Sequence, residues 1–374
     1  MNKLKSKKKI LFIGAGAIGR GFLPWVFDQK IYDFIFVDSN RTIINHMNKF
    51  KRYKTYRVRD GNYQENQVNI HSAYTPDQFD VSKYNDIVAC FYSVGPRNVP
   101  KASTLMIGSN IPLILCENEP DCVNTAKTVV GYESVYFAVP DVITSNTAPD
   151  KMIQDDPLSI VTEDGVLFIQ EGPKSLKGEF KFLTENEIKY DQWIPKLYLH
   201  NTAHCIAAYL GALIGAKYVH EPMEIKEFND IVEGTMNEML ESLKKGWDIE
   251  QSFLNWYAKK ELARFRNKLL FDPISRVSRE PLRKLGLEGR LIGAAQICLS
   301  HGVMPNNLIT GIAAALLFQD QKDPDRHLAF FKNTLTKEDF NTHILGLRSG
   351  EPLDLILRNK IDKMTTFLLD FNKK

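Results

Sequence analysis

Lys196, Asn201 and His204 fall within one short run, WIPKLYLHNTAHCIAAYLG. On an α-helix they would stand at roughly 0°, 140° and 80° around the axis, so one broad face carries all three. The set suits removal of a proton from an alcohol. A lysine can act as the base while hydride departs, if burial or neighbouring cations bring its pKa toward the working pH. An asparagine amide can donate to the oxygen as it gains alkoxide character, with no metal required. The histidine can orient the lysine or bond a neighbouring substrate hydroxyl. The flanking Ile206, Ala207, Ala208, Leu210 and Leu213 are apolar, which predicts a buried segment whose polar groups need partners. Alone, the run leaves a structural and a catalytic role equally open.

Hydride needs an acceptor, and the start of the chain offers a place for one. Lys9 to Ile13 is a short apolar run that reads as a buried strand. It leads into Gly14-Ala-Gly16-Ala17-Ile18-Gly19-Arg-Gly21, followed by a helical stretch with Phe22, Trp25, Val26 and Phe27. The first glycine permits the tight turn, the second lets a pyrophosphate approach the backbone, and the third lets helix and strand pack closely. A second run, Phe34 to Val37, ends at Asp38, about twenty residues on, where an acid meets the adenosine ribose. A carboxylate there repels a 2′-phosphate, so the expected cofactor is NAD; Arg41 nearby argues weakly the other way.

The remaining composition is that of an ordinary globular enzyme. A chain of 374 residues makes two domains and buries sizeable cores. A net charge of +3 is too balanced to imply nucleic acid. The basic start, Lys3 to Lys9, runs into a glycine-rich segment carrying Arg20, so it reads as a solvated tail and not as a signal peptide. No run of about twenty apolar residues is present, and no membrane span is expected. The five cysteines show no CxxC spacing, as in a reduced, cytoplasmic protein. The sequon at Asn40 lies beside the expected ribose site and is taken as chance. His200 and His204 lie four apart, as two zinc ligands would, but HNTAH lacks the glutamate of the zinc-protease motif and has no obvious third ligand. No metal is expected.

These parts imply an α/β protein. Strands are expected at Asp86 to Tyr92, Pro112 to Cys116 and Ser134 to Val139, with helices between them at Arg97 to Ile107 and Asp121 to Val130. That rhythm is a parallel Rossmann-type sheet, whose ligands sit beyond the strands' carboxyl ends. Gly95, Glu117, Asn118, Pro140 and Asp141 all fall at such ends. From Leu158 to Tyr190 the alternation, with Asp164-Gly165 as a hairpin turn, predicts antiparallel strands added to the sheet edge. Beyond Trp193 the chain reads as helical almost throughout. A dinucleotide-binding domain over 1–190 and an all-helical substrate and catalytic domain over 191–374 are therefore expected.

Four motifs now carry a resemblance: GAGAIGRGF at 14–22, CEN at 116–118, KLYLHNTAHCIAAYLG at 196–211 and RVSREPLRKL at 276–285. In this order and spacing the chain resembles the polyol-specific long-chain dehydrogenase/reductase family, and within it the mannitol-1-phosphate 5-dehydrogenase group. The resemblance implies NAD-dependent oxidation of a secondary alcohol of a polyol, such as mannitol 1-phosphate, to the ketose, and the reverse. It implies Lys196 as general base, Asn118 and Asn201 as donors to the developing alkoxide, and no metal. The cofactor would lie against Gly14, Gly16, Ala17, Ile18, Gly19, Asp38 and Gly95, with Asp141 and Arg279 touching a polyol or polyol phosphate.

Two positions depart from the family. Ala17 replaces an asparagine in the pyrophosphate turn, and Val142 replaces the arginine of a Val-Asp-Arg-Ile segment, which bears on substrate identity. The basic cluster Arg276, Arg279, Arg283, Lys284 and Arg290 suits phosphate or carboxylate equally. A hexuronate reductase of the fructuronate or tagaturonate type therefore remains an alternative, as does an NAD(H)-sensing regulator that turns nothing over.

Overall fold

The computed structural model of the protein describes residues 7–319 and 327–371, so Lys3 and Lys5 of the basic start lie outside it. The chain divides into two compact units, Met1–Gln192 with Leu269–Phe271, and Trp193–Lys268 with Asp272–Lys374. The short 269–271 segment joins the first unit because Tyr63 donates its hydroxyl to the Leu269 carbonyl and Ser145 to that of Phe271, each at 2.8 Å.

Among the described residues the first unit holds eleven strands. They are β1 (Lys8–Ile13), β2 (Tyr32–Val37), β3 (Arg52–Arg59), β4 (Asn62–Asn69), β5 (Ser72–Tyr74), β6 (Ile87–Tyr92), β7 (Leu113–Leu115), β8 (Val135–Asp141), β9 (Ile160–Glu163), β10 (Val166–Gln170) and β11 (Phe180–Leu183). Eight form one sheet in the order β11-β10-β8-β7-β6-β1-β2-β5, and β4-β3-β9 form another. From β5 across to β8 every pairing in the large sheet is parallel. Both faces are covered, which is why these strands are continuous apolar runs. Ile10, Phe12, Phe34, Phe36 and Phe91 point into one core, and Leu11, Ile13, Ile35, Val37, Cys90 and Tyr92 into the other. Phe12 lies 5.2 Å from both the Phe34 and Phe36 rings. Each such fully buried ring contributes about 2 to 3 kcal/mol. The strand order reverses at β1, which places the switch-point crevice at the carboxyl ends of β1 and β6.

Two expectations about this unit need correction. Only β10 adds antiparallel to the sheet edge, on β8, while β11 runs parallel to β10. β9 leaves for the small sheet, parallel to β3. Asp164-Gly165 is thus no hairpin turn; it carries the chain from one sheet to the other. The second correction lies between Asp38 and Asp86, where no strand was expected. β3 and β4 form an eight-residue antiparallel ribbon there, turning at Asp60 (φ 49°) and Gly61 (φ 73°). Asn40 caps the Arg41–Phe50 helix, accepting from the amides of Thr42 and Ile43.

In the second unit every described element is helical. The Thr202–Leu213 helix sits at its centre, with residues 202–211 all buried. It packs on the Lys226–Gly246 and Asn306–Leu317 helices. Its apolar content all round is what a central helix requires. No helix among the described residues is long and apolar enough to cross a membrane.

Candidate active site

In the first unit the glycine fingerprint closes the turn after β1. Gly14 adopts φ +99°, and its amide donates to the Val37 carbonyl at 2.8 Å. A Cβ on Gly19 would lie 1.9 Å from the Gly14 carbonyl oxygen, so only glycine allows this approach of helix to strand. Gly16 faces open space, with nothing within 4 Å of a would-be Cβ. The half-buried Gly16 backbone is therefore unobstructed where the pyrophosphate would approach. The helix it caps begins as a widened π-turn, Ala17–Phe22, before Leu23–Val26 continues as α. Ile18 packs on the core beneath.

Asp38 follows β2 with its carboxylate held in place. One oxygen accepts the Ala15 amide at 2.6 Å and the other the Asn40 amide at 2.7 Å. An ionised carboxylate has about four lone-pair sites, so two remain for ribose hydroxyls. Arg41 is exposed and reaches Asp77 at 3.9 Å. Asn118 is exposed beyond β7, and Asp141 is buried at the end of β8. Val142 packs into the apolar core of this unit, and a Cβ on Gly165 would lie 2.5 Å from its own Cβ. The position where the family carries an arginine is thus filled here as core.

The second unit gathers Lys196, Asn201 and His204, all buried. Lys196–Asn201 forms a π-helical turn that leads into the Thr202–Leu213 helix. This differs from the α-spacing expected from sequence, and the difference has a consequence. A π-turn bonds i to i+5, which stacks Lys196 over Asn201 more closely than an α-helix would. The Asn201 side-chain N–H₂ is buried and has no hydrogen-bond partner among the described residues. A buried donor left in this state is costly.

His204 is fixed by two residues that sequence reading missed. Its Nε2 lies 2.8 Å from a carboxylate oxygen of Asp272, 68 residues away, and its ring stacks on Phe265 at 5.0 Å and 1°. The other oxygen of Asp272 accepts from Arg276, through Nε at 3.0 Å and through Nη2. Burial opposes the charge on Asp272, but Arg276 and His204 hold its pKa down to about 2. Burial pushes His204 below the ordinary histidine range, against the pull of Asp272. The pair therefore stands as a neutral imidazole donating from Nε2 to a carboxylate, which leaves Nδ1 as an acceptor. Beside it, His200 bonds through Nδ1 to the wholly buried Glu261, which also accepts from Arg264 at 2.5 Å.

The basic cluster divides in the structure. Arg279 is exposed, its Nε 3.4 Å from the Arg276 carbonyl. Arg276 serves Asp272, and Arg283 pairs with Glu280. Lys284 is buried, donating to the carbonyls of Val277 and Arg279, and burial lowers its pKa to about 7. Among the described residues no three His, Cys, Asp or Glu side chains are gathered as a metal-binding group.

A Rossmann-type unit whose glycine turn leaves open space at Gly16, joined in one chain to a helical unit with buried lysine, asparagine and histidine, defines a dehydrogenase class. Comparison with known proteins makes the assignment specific. The Mannitol dehydrogenase Rossmann domain matches residues 8–184, and the Mannitol dehydrogenase C-terminal domain matches 191–335. The chain belongs to the mannitol dehydrogenase family and is an oxidoreductase. It is 30% identical over 342 residues to mannitol-1-phosphate 5-dehydrogenase of Caldanaerobacter subterraneus, covering 84% of this chain and 87% of that one. It is 29% identical over 381 residues to the Bacillus subtilis protein of the same name, covering 94% and 99%. Among solved structures, Pseudomonas fluorescens mannitol 2-dehydrogenase, in a ternary complex with NAD and D-mannitol, shares the fold. Its TM-score is 0.79 at 15% identity, over 98% of this chain and 93% of that one.

Proposed function

We propose that the protein oxidises a secondary alcohol of a polyol phosphate such as mannitol 1-phosphate to the ketose, and catalyses the reverse, with NAD as cofactor. On this reading the first unit binds the cofactor and the second supplies the chemistry. The observation that carries it is the buried, unpartnered Asn201 amide on the same π-turn as buried Lys196. A fold keeps such a donor where a ligand satisfies it, and an alkoxide oxygen would do so.

The residues present fit a nicotinamide dinucleotide. Gly14, Gly16, Ala17, Ile18 and Gly19 form a turn with open space at Gly16, Asp38 keeps lone pairs for the ribose, and Gly95 lies at the adjacent strand end. Bound there, the cofactor supplies a hydride acceptor. Neutral Lys196 takes the hydroxyl proton. Asn201, joined by Asn118, donates to the oxygen as charge builds. His204, held by Asp272, offers Nδ1 to a second substrate hydroxyl. Asp141 and the exposed Arg279 are the proposed substrate contacts, Arg279 because its guanidinium suits a phosphate. No metal enters the mechanism.

The test follows NADH formation at alkaline pH with mannitol 1-phosphate, mannitol, sorbitol 6-phosphate, ribitol 5-phosphate and a hexonate, each with and without a chelator. Turnover confined to phosphorylated polyols and indifferent to chelation is expected. Turnover of the hexonate alone would move the protein to the hexuronate reductases. Cofactor binding with no turnover of any substrate would favour the sensing regulator.

Cofactor choice has its own test. Asp38→Ser removes the carboxylate that repels a 2′-phosphate. The NAD-over-NADP preference in kcat/KM is expected to fall at least about tenfold, on the order of 1.4 kcal/mol. The ratio is the readout because losing the acceptor for Ala15 and Asn40 weakens both cofactors alike. An unchanged ratio would place the ribose contact elsewhere.

A further inference from the structure

Glu117 ends up buried at the switch point, and the mechanism above gives it no task. It follows β7, beside β6, at the edge of the crevice where ligands of such sheets bind. One carboxylate oxygen accepts from the Val94 amide at 2.7 Å and the Gly95 amide at 3.2 Å; the other accepts from Gly95 at 3.0 Å. Gly95 adopts φ +87°, its carbonyl accepts the Asn98 amide at 2.9 Å, and the Asn98 side chain reaches the Val94 carbonyl at 2.8 Å. One residue earlier, Ser93 donates from its amide to Ile13 at 2.9 Å and from its hydroxyl to Gly14 at 3.1 Å. A single carboxylate thus ties the end of β7 to the turn after β6, which is itself tied to the glycine turn after β1.

We propose that Glu117 is a positioning residue for dinucleotide binding: its ionised carboxylate clamps the Val94–Gly95 turn, and protonation loosens the clamp and weakens the cofactor's hold. The inference rests on the reading of Gly95 as part of the cofactor site. Two successive backbone amides aimed at one point make an anion-binding nest, and here the protein fills it with its own carboxylate. An ionised group accepts on both oxygens. A protonated one turns one oxygen into a donor facing donors.

The clamp operates near neutral pH. Burial raises Glu117 to about 7, the amides of Val94 and Gly95 oppose this, and Glu119 adds to it. The other titratable group at hand is Cys122, at the start of the next helix, whose thiol burial and then Glu117 push up to about 12. Arg97 follows the turn on its exposed side. Above about 7 the clamp is closed and below it opens, so affinity rises with pH through that region.

The test is NADH binding by the full chain, followed by fluorescence from roughly pH 5.5 to 8.5. The wild type is expected to tighten about three- to tenfold across the range, the net worth of one ordinary hydrogen bond. Glu117→Gln keeps one acceptor and has no charge to lose. Its affinity should be flat with pH and match the low-pH wild type. Glu119→Gln should keep the step and move its midpoint to lower pH. A flat wild-type profile, or a Glu117→Gln variant that retains the step, would overturn the proposal. Failure of every variant to bind NADH at any pH, with folding intact by circular dichroism, would instead sink the cofactor reading itself.

Discussion

Lys196→Ala is expected to slow alcohol oxidation on the order of 10³-fold or more while leaving NADH affinity within about twofold. Lys196 stands in the helical unit, and the fingerprint, Asp38 and Gly95 all belong to the other. The two functions should therefore separate cleanly. The pH dependence identifies the chemistry as well as the residue. The wild-type oxidative rate should climb as pH rises and the amine loses its proton, because only the neutral form accepts a proton from the alcohol. In Lys196→Ala that limb should vanish, and the residual rate should be raised by small primary amines added to the assay. A variant with undiminished turnover would remove Lys196 as base. A protein with no turnover before substitution, whose NADH-dependent association with a partner survives it, would be the regulator.

How much of this was legible in sequence follows from which forces leave local traces. The central parallel strands β1, β2, β6, β7 and β8 were legible because burial on both faces makes each an apolar run, as in Ile87–Tyr92. The β3–β4 ribbon was not, because its strands are largely polar and β4 is mostly exposed. Its signal was nevertheless present in Asp60-Gly61, flanked by alternating residues. The dipeptide Asp164-Gly165 looked equally good and is no hairpin. Gly165 has no positive φ, and the flanking strands belong to different sheets. Turn chemistry permits a hairpin; pairing partners decide it.

The site divides in the same way. Lys196, Asn201 and His204 could be picked out because they share one turn and the next. Asp272 and Glu261 could not, lying 68 and 61 residues from the histidines they hold. No local pattern links residues so far apart. The π-turn was also hidden, since residue spacing alone was read at the α-helical period. Arg279 was singled out from the basic cluster by its motif, yet the residue tied through Asp272 to His204 is Arg276. Burial, not charge, separates the members of that cluster, and a run of like charges does not disclose which of its residues fold inward.

Asn201→Ala is expected to cost about 10²- to 10³-fold in kcat, with KM little changed, since the amide meets its acceptor only as the alkoxide forms. The loss corresponds to about 3 to 4 kcal/mol of transition-state stabilisation. Stability should move differently, and this separates a catalytic donor from a structural one. A structural amide would be bonded in the free protein, so its removal would lower the melting temperature. The Asn201 N–H₂ has no such bond among the described residues. Asn201→Leu, which fills the volume with apolar atoms, should therefore melt no lower than the wild type while being as inactive as the alanine variant. Asn201→Asp should be slower still, because it sets a carboxylate against the developing negative charge. A melting temperature that falls in step with activity would assign Asn201 to the fold, and with it the π-turn that presents Lys196.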